Sequence, residues 1–542
     1  MGDIYSRATE VLIWLGPYRE EVEHFVYTIR ELLPLITEPS NRRRLAPWFK
    51  HESLFDDSFW EECFYMGSPL GRLTKFALFY ASCRWFSRAW TMQETFLARR
   101  SRMFCGEVII SVSDAIDLAN VLASCKWHSE INISLDKEGL VSNLSWLNEL
   151  AAFSSFDYVR QEEFDQHRNR WNEDSSAVHA LAVLLSRYRY SGCSDPRDKV
   201  YSLLSIVNGQ SFQPSVFNFI KPDYTVSVEE VFTKVTKLVL EKSRSLDYLA
   251  EKRLNLDNNS SLSLPSWVVD HSLCRGVTTI IPGAICKPRY DACLCGSTTY
   301  PQFSVTDSKI HCHGSRFDVV ADIMTPMTAP PESATGKFPS LSFWTFFLSL
   351  PPFINGRPRF DVVWKTLTVG ANPDDSKIWV EGHFKTWMMF QIIELAKPTH
   401  GPASSSVLRD VMNQLGSSSS TAEQNLYHLA AAQLDRDDDY CVVKDDWIWG
   451  AMEFREAAAT IVKERRLFTT ERGLLAKTTR TLRKGDEVWM LCDAHVPFVL
   501  RPTARTGEYE VIGDCYVNGF MNGEMLEDRW NVRENIGSLT IV

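Results

Sequence analysis

Two adjacent polar residues, Gln93 and Glu94, stand in a segment otherwise rich in tryptophan and phenylalanine. Over Arg84 to Ala98, a turn of 100° per residue places Phe86, Ala89, Trp90, Gln93 and Leu97 on one stripe, which predicts an amphipathic helix. Glu94 follows Trp90 by four residues, at the edge of that stripe. An amide buried without a partner costs roughly 1–3 kcal/mol, so Gln93 must find hydrogen bonds there. Two readings stand: the pair ties the helix to nearby backbone, or it builds a network that faces a ligand. Arg197 is the third candidate. It lies in Ser194 to Val207, where Asp195 is placed as an N-cap, Pro196 at the first helical position and Asp198 in the first turn facing the dipole. That capping scheme leaves Arg197 over, and it is expected to pair with Glu94 or another carboxylate, so that Gln93, Glu94 and Arg197 share one cleft.

Ligand-type residues gather only at Cys293, Cys295, His311, Cys312 and His313. Neighbours on a strand point to opposite faces, so these side chains cannot converge on one ion, and their spacing is not that of a zinc module. No metal and no cofactor are expected. No nucleophile elbow, P-loop, kinase signature, HExxH motif or dinucleotide fingerprint occurs. An enzyme is therefore not derivable from residue spacing.

The elements that must position these residues come from a chain of 542 residues, long enough for two or three cores. Its hydrophobic content is 44%, and 17 tryptophans suit a well-packed protein. A net charge of -10 argues against nucleic acid as a partner. No run of 18 apolar residues occurs; Phe343 to Ile354 comes nearest and is broken by Pro351 and Pro352, so no membrane span is expected. The first residues lack a signal peptide's layout, and 13 scattered cysteines suit reduced thiols, which points to the cytoplasm.

In chain order, Ile4 and Ala8 sit one turn apart on a helix, and Val11 to Leu15 reads as a buried strand closed by Gly16 and Pro17. A helix feeding a buried strand implies a parallel sheet. Glu20 to Leu35 is helical in pattern, and Asn41 to Arg44 is a basic loop. Met103 to Cys105 and Val108 to Ile110 form a hairpin turning at Gly106, then Ser111 or Ser113 caps a helix. Arg160 to Asp174 reads as solvated, and Ala177 to Tyr188 as a core helix. Ser227 and Glu230 make a capping box for the next helix. From about 276 short strands begin. Phe343 to Ile461 is helical in parts, with an acidic stretch at Asp435 to Asp439, and short strands from Arg466 onward suggest a small barrel or sandwich.

Several of these pieces together resemble the fungal heterokaryon incompatibility domain. Trp85, Phe86, Arg88, Trp90, Gln93 and Glu94 with Cys105-Gly106 match one block of that family. Met1 to Gly16 matches a segment with "I-Y-x-x-A … W-L-G", and Asp195, Arg197, Asp198 and Tyr201 match "D-x-R-D-x-V-Y". Pro222 to Phe232, Leu264 to Ser272 and a glycine-punctuated tail, 466–527, match three more. The Met1 segment falls mid-domain in relatives, so the resemblance implies an α/β N-terminal domain that is partial, a Toll/interleukin-receptor-like parallel sheet with helices. An α+β region and a C-terminal small β module would follow. The corresponding divisions are 1–275, 276–465 and 466–542. The resemblance implies fungal non-self recognition, linked to programmed cell death and signalling, acting through protein association that includes self-association of the N-terminal domain. It also raises an alternative, cleavage of NAD as substrate, with Glu94 as the catalytic acid.

Overall fold

A computed structural model of the chain describes residues 2–34, 79, 82–125, 176–189, 191–209, 215–252, 262–273, 290–292, 303–324, 340–369, 377–396, 401–434, 450–451, 454, 458, 465–524 and 534–542. The basic loop at 41–44, the charged stretch 160–174, Cys293 and Cys295, and the acidic stretch 435–439 lie outside them. The chain divides into two compact units: Met1–Ser243 with Arg253–Leu264 and Val269–Gly276, and Arg244–Lys252 with Pro265–Val268 and Val277–Val542.

The first unit opens with helix α1 (Gly2–Arg7) and strand β1 (Val11–Gly16). Helix α2 (Glu21–Tyr27) runs on into a wider turn at Thr28–Leu32. Then come α3 (Thr91–Phe96), the hairpin β2 (Ser101–Cys105) and β3 (Val108–Ser111), and α4 (Val112–Cys125). The helices α5 (Ser176–Arg187), α6 (Asp198–Gly209) and α7 (Val228–Ser243) follow. The hairpin turns where expected, because Gly106 supplies the left-handed φ of 58°.

The expected parallel sheet is smaller and mixed among the described residues. Three strands run in the order β1-β2-β3; β1 lies parallel to β2, while β2 and β3 are antiparallel. Nor is β1 buried on both faces. Val11, Ile13 and Leu15 are buried, whereas Leu12 and Trp14 point outward, 63% and 61% exposed. An unbroken apolar run hides the period-2 alternation of a strand when both faces carry large side chains.

The second unit is built on a sheet of nine strands. Its strands are β4 (Phe303–Val305), β5 (Ile310–Ile323), β8 (Arg465–Thr470), β9 (Leu475–Thr479), β10 (Glu487–Leu491), β11 (Phe498–Pro502), β12 (Glu508–Asp514), β13 (Tyr516–Val517) and β14 (Gly537–Ile541). Between β5 and β8 stand α8 (Ser340–Ser349), a two-stranded hairpin, β6 (Phe353–Ile354) with β7 (Arg357–Pro358), and the helices α9 (Arg359–Leu367), α10 (Lys377–Ala396), α11 (Gly401–Gly416) and α12 (Thr421–Leu434).

Strand β5 is the spine. It pairs with β14 along one stretch and with β10 along the next, while β10-β11-β12-β14 continue the path, so these five strands close a ring. The strands after residue 466 therefore do not make a module by themselves: their barrel takes in β5, some 140 residues upstream, and the helices are an insertion between β5 and β8. On β5, Cys312 is buried while His311 and His313 face outward, the alternation expected of a strand. The helical insertion packs around an aromatic cluster, with Phe343, Trp344, Phe347, Phe360, Phe384, Trp387 and Phe454, that also takes in Leu467 of β8 and Leu475 of β9. No helix among the described residues is long and apolar enough to cross a membrane.

Candidate functional site

The predicted long helix at 84–98 is a short one. Residues 84–90 run as turns, Trp90 sits at the N-cap of α3, and only Thr91–Phe96 is α-helical. The backbone of Arg88 instead bridges Gly192 in parallel, and Ala89 N–H donates to Gly192 O at 2.8 Å. A tertiary pairing of this kind overrides a local helical period. Phe86, Ala89 and Gln93 of the stripe are buried nonetheless, at 1%, 3% and 0% exposure.

Each polar candidate has a different partner. Glu94 Oε2 accepts from Trp85 Nε1 at 2.7 Å, and its Oε1 lies 3.5 Å from the Tyr5 hydroxyl. Burial, and then the Glu94 charge, push the Tyr5 hydroxyl above its ordinary pKa. Trp85 in turn packs edge-on against Phe86, with centroids 5.2 Å apart. Gln93 Nε2 donates to the Ser202 carbonyl at 2.7 Å, fastening α3 onto α6.

Arg197 does not reach Glu94. It pairs with Asp195 at 2.7 Å, the other carboxylate within its own turn. That guanidinium holds the Asp195 carboxyl below the usual range. Asp195 also accepts from the Arg197 N–H at 3.0 Å, and α6 proper begins at Asp198. Gln93, Glu94 and Arg197 therefore make no hydrogen bond to one another; each closes a separate staple.

Arg197 reaches forward as well, donating from Nη1 to the carbonyls of Tyr224 and Val226 at 2.7 Å each. The Tyr224 hydroxyl returns to Asp198 Oδ1 at 2.6 Å; burial, and then that bond, raise the phenol's pKa well above the ordinary value. Tyr201 donates to the Asp223 carbonyl at 2.9 Å and meets the Tyr224 ring edge-on at 5.3 Å. Ser227 Oγ caps α7 through Glu230 N–H at 3.1 Å.

Residue spacing does not single out Tyr224, Tyr5 or Lys199 as members of this arrangement, although both tyrosines stand in blocks that resemble the family. The buried Lys199 donates to the carbonyls of Arg189 and Ser191 beyond the end of α5, a helix C-terminus that attracts cations. Its signal was masked because a lysine beside Asp198 reads as a solvated pair. Among the described residues, no group of three or more histidine, cysteine or acidic side chains is placed to hold a metal ion.

The motif positions thus bond chiefly to each other. The helix α1 meets α3 through Tyr5 and Glu94, the turns at 84–90 meet α3 through Trp85 and Glu94, α3 meets α6 through Gln93, and α6 meets the segment before α7 through Arg197 and Tyr201. The family model of the Het-6 beta-barrel domain matches residues 427–535. The chain is also 22% identical over 583 residues to "Heterokaryon incompatibility protein 6, OR allele" of Neurospora crassa, covering 97% of this chain and 78% of that protein. No solved structure matches. Together with the motif blocks, these two similarities support a heterokaryon-incompatibility-type protein.

Proposed function

We propose that this chain acts in fungal non-self recognition as a heterokaryon-incompatibility-type protein, working in the cytoplasm through protein association and linked to incompatibility-triggered cell death. The observation that carries the reading is the similarity to heterokaryon incompatibility protein 6 across 97% of the chain. The internal bonding of the motif residues supports association over chemistry. Glu94 has one carboxylate oxygen on an indole N–H and the other beside a phenol, and Gln93 is fully buried against α6. Both are held as packing elements hold their polar groups. The NAD-cleavage alternative gains no support from the relatives the chain matches.

The test is genetic. Two fungal strains carrying different forms of this gene and complementary auxotrophies are paired, and the yield of viable heterokaryons is measured. Incompatibility between unlike forms, relieved by deleting the gene in one parent, is the expected result. Equal yields from like and unlike pairs would overturn the reading.

A further inference from the structure

Where α7 ends at Ser243, the next nine residues, Arg244–Lys252, belong to the second unit. They are fastened there to the turn that follows β10. Leu246 N–H donates to the Asp493 carbonyl at 2.8 Å, and Ser245 Oγ donates to the same oxygen at 3.1 Å. In the other direction, the buried carboxylate of Asp247 receives the His495 N–H at 2.8 Å and the His495 ring Nδ1 at 2.6 Å.

Both strands of this junction carry a non-glycine residue in the left-handed region, Arg244 at φ 52° and Asp493 at φ 64°. Such residues persist only where surrounding bonds over-determine them. The charges that face the imidazole come from three segments: Asp247 from the docked segment, Asp493 from its own turn, and Asp291 from residues 290–292. All three are acidic. The segment 290–292 is itself tied in, since Ala292 N–H donates to the His495 carbonyl at 3.0 Å.

We propose that Asp247 and His495 form a proton-controlled clamp, in which the imidazolium holds the segment after α7 against the β10–β11 turn. With the proton in place, one cation sits among three carboxylates. When the ring loses that proton, a neutral Nδ1–H can still reach Asp247, but the positive charge that draws the Asp247 carboxylate to it is gone, and the hold on the left-handed turns weakens. The segment then loosens.

The sign follows from the surroundings. The hydrogen bond to Asp247, outweighing desolvation, holds His495 above the ordinary imidazole value, with the Asp247, Asp291 and Asp493 charges adding to it. A raised value means the extra stability is complete below about pH 6.5 and is lost as pH rises through the folded value. The clamp therefore opens on the neutral-to-alkaline side.

Hydrogen exchange on the full chain tests this. The amides of Leu246 and His495, corrected for intrinsic rates, should lose about tenfold in protection between roughly pH 6 and roughly pH 9, while Met103 in the central strand β2 stays constant as the reference. His495→Gln keeps a neutral donor and should flatten that dependence. A dependence unchanged in His495→Gln, or protection independent of pH in the unaltered chain, would overturn the clamp. Should the variant fail to fold, the imidazole titration of the unaltered chain decides: a midpoint above about 6.5 that coincides with loss of protection supports the clamp, and one at or below that value sinks it.

Discussion

The guanidinium carbon of Arg197 lies 5.2 Å from the centroid of the Tyr224 ring, while its Nη1 donates to the Tyr224 carbonyl. One side chain thus grips both the backbone and the face of a residue 27 positions on, and its other edge is locked by Asp195. This is geometry that a planar fork supplies and an ammonium does not. Arg197→Lys should therefore lower the thermal midpoint nearly as much as Arg197→Ala. A lysine variant that melts with the unaltered chain would show that charge alone suffices. Because the Asp195 carboxyl is held below its usual range, its share of the stability is present above about pH 4 and is lost as pH falls further.

Gln93 offers a test of whether the motif residues are packing or recognition groups. Its Nε2 has the Ser202 carbonyl, but its Oε1 is buried without a hydrogen-bond partner among the described residues. Methionine gives up the bond to Ser202 but also removes the buried Oε1 that has no partner, and the two effects offset each other. Gln93→Met should then change unfolding free energy by less than about 1.5 kcal/mol. Gln93→Glu sets a carboxylate against the same carbonyl and should cost about 3–5 kcal/mol. Urea denaturation separates the two. If the methionine variant folds yet abolishes incompatibility, the structural account of Gln93 is wrong.

What could be read from the sequence was local. The α1–β1 succession, the hairpin at Gly106, the Ser111 and Ser227 caps and the turn at Asp195 are each decided by residues within a few positions of one another. The errors came from distance. A period count over 84–98 cannot show that Arg88 bridges Gly192, and the expectation of short strands from about 276 cannot show that β5 takes partners beyond residue 465. Arg197, left over by the cap, pairs with a carboxylate other than Glu94: Asp195 serves both the Arg197 N–H and its guanidinium, a double use that the capping pattern does not reveal.

A buried ion pair ties β8 to β12. Arg465 on β8 meets Asp514 on β12 at 2.7 Å, and both side chains are 1% exposed. Removing one partner leaves an uncompensated buried charge, so Asp514→Ala should cost about 3–5 kcal/mol. Replacing both, Arg465→Met with Asp514→Leu, should recover most of that loss. Chemical denaturation of the three proteins checks the order. A double variant less stable than the single one would mean that the pair contributes net stability beyond its own desolvation.

Beside that pair, Lys477 of β9 is fully buried and donates to the Leu367 carbonyl at 2.9 Å. Burial, and then the Arg465 charge, lower its pKa well below the ordinary lysine value. The unfolded chain then binds a proton that the folded chain does not, so this residue makes stability rise with pH up to about 10.4. Lys477→Met should remove that slope. The decisive quantity is the difference between the two stability curves from about pH 7 to about pH 10, since the buried thiols of Cys312 and Cys515, which burial pushes up, act in both proteins alike. Parallel curves would contradict the assignment.

Gly106 separates two reasons for a glycine. Its φ of 58° is left-handed, a conformation that costs an ordinary side chain about 1–2 kcal/mol. A Cβ placed there would also stand 2.8 Å from the backbone nitrogen of Tyr18, where β1 turns away, and backbone cannot swing aside as a flexible side chain can. Asparagine tolerates the left-handed region far better than alanine does. If φ were the only constraint, Gly106→Asn would restore most of what Gly106→Ala loses. The approach of Tyr18 blocks any Cβ, so both variants should lose more than about 2 kcal/mol and by similar amounts. Denaturation midpoints decide it, and a stable asparagine variant would show that the contact between the hairpin and the turn at Tyr18 yields.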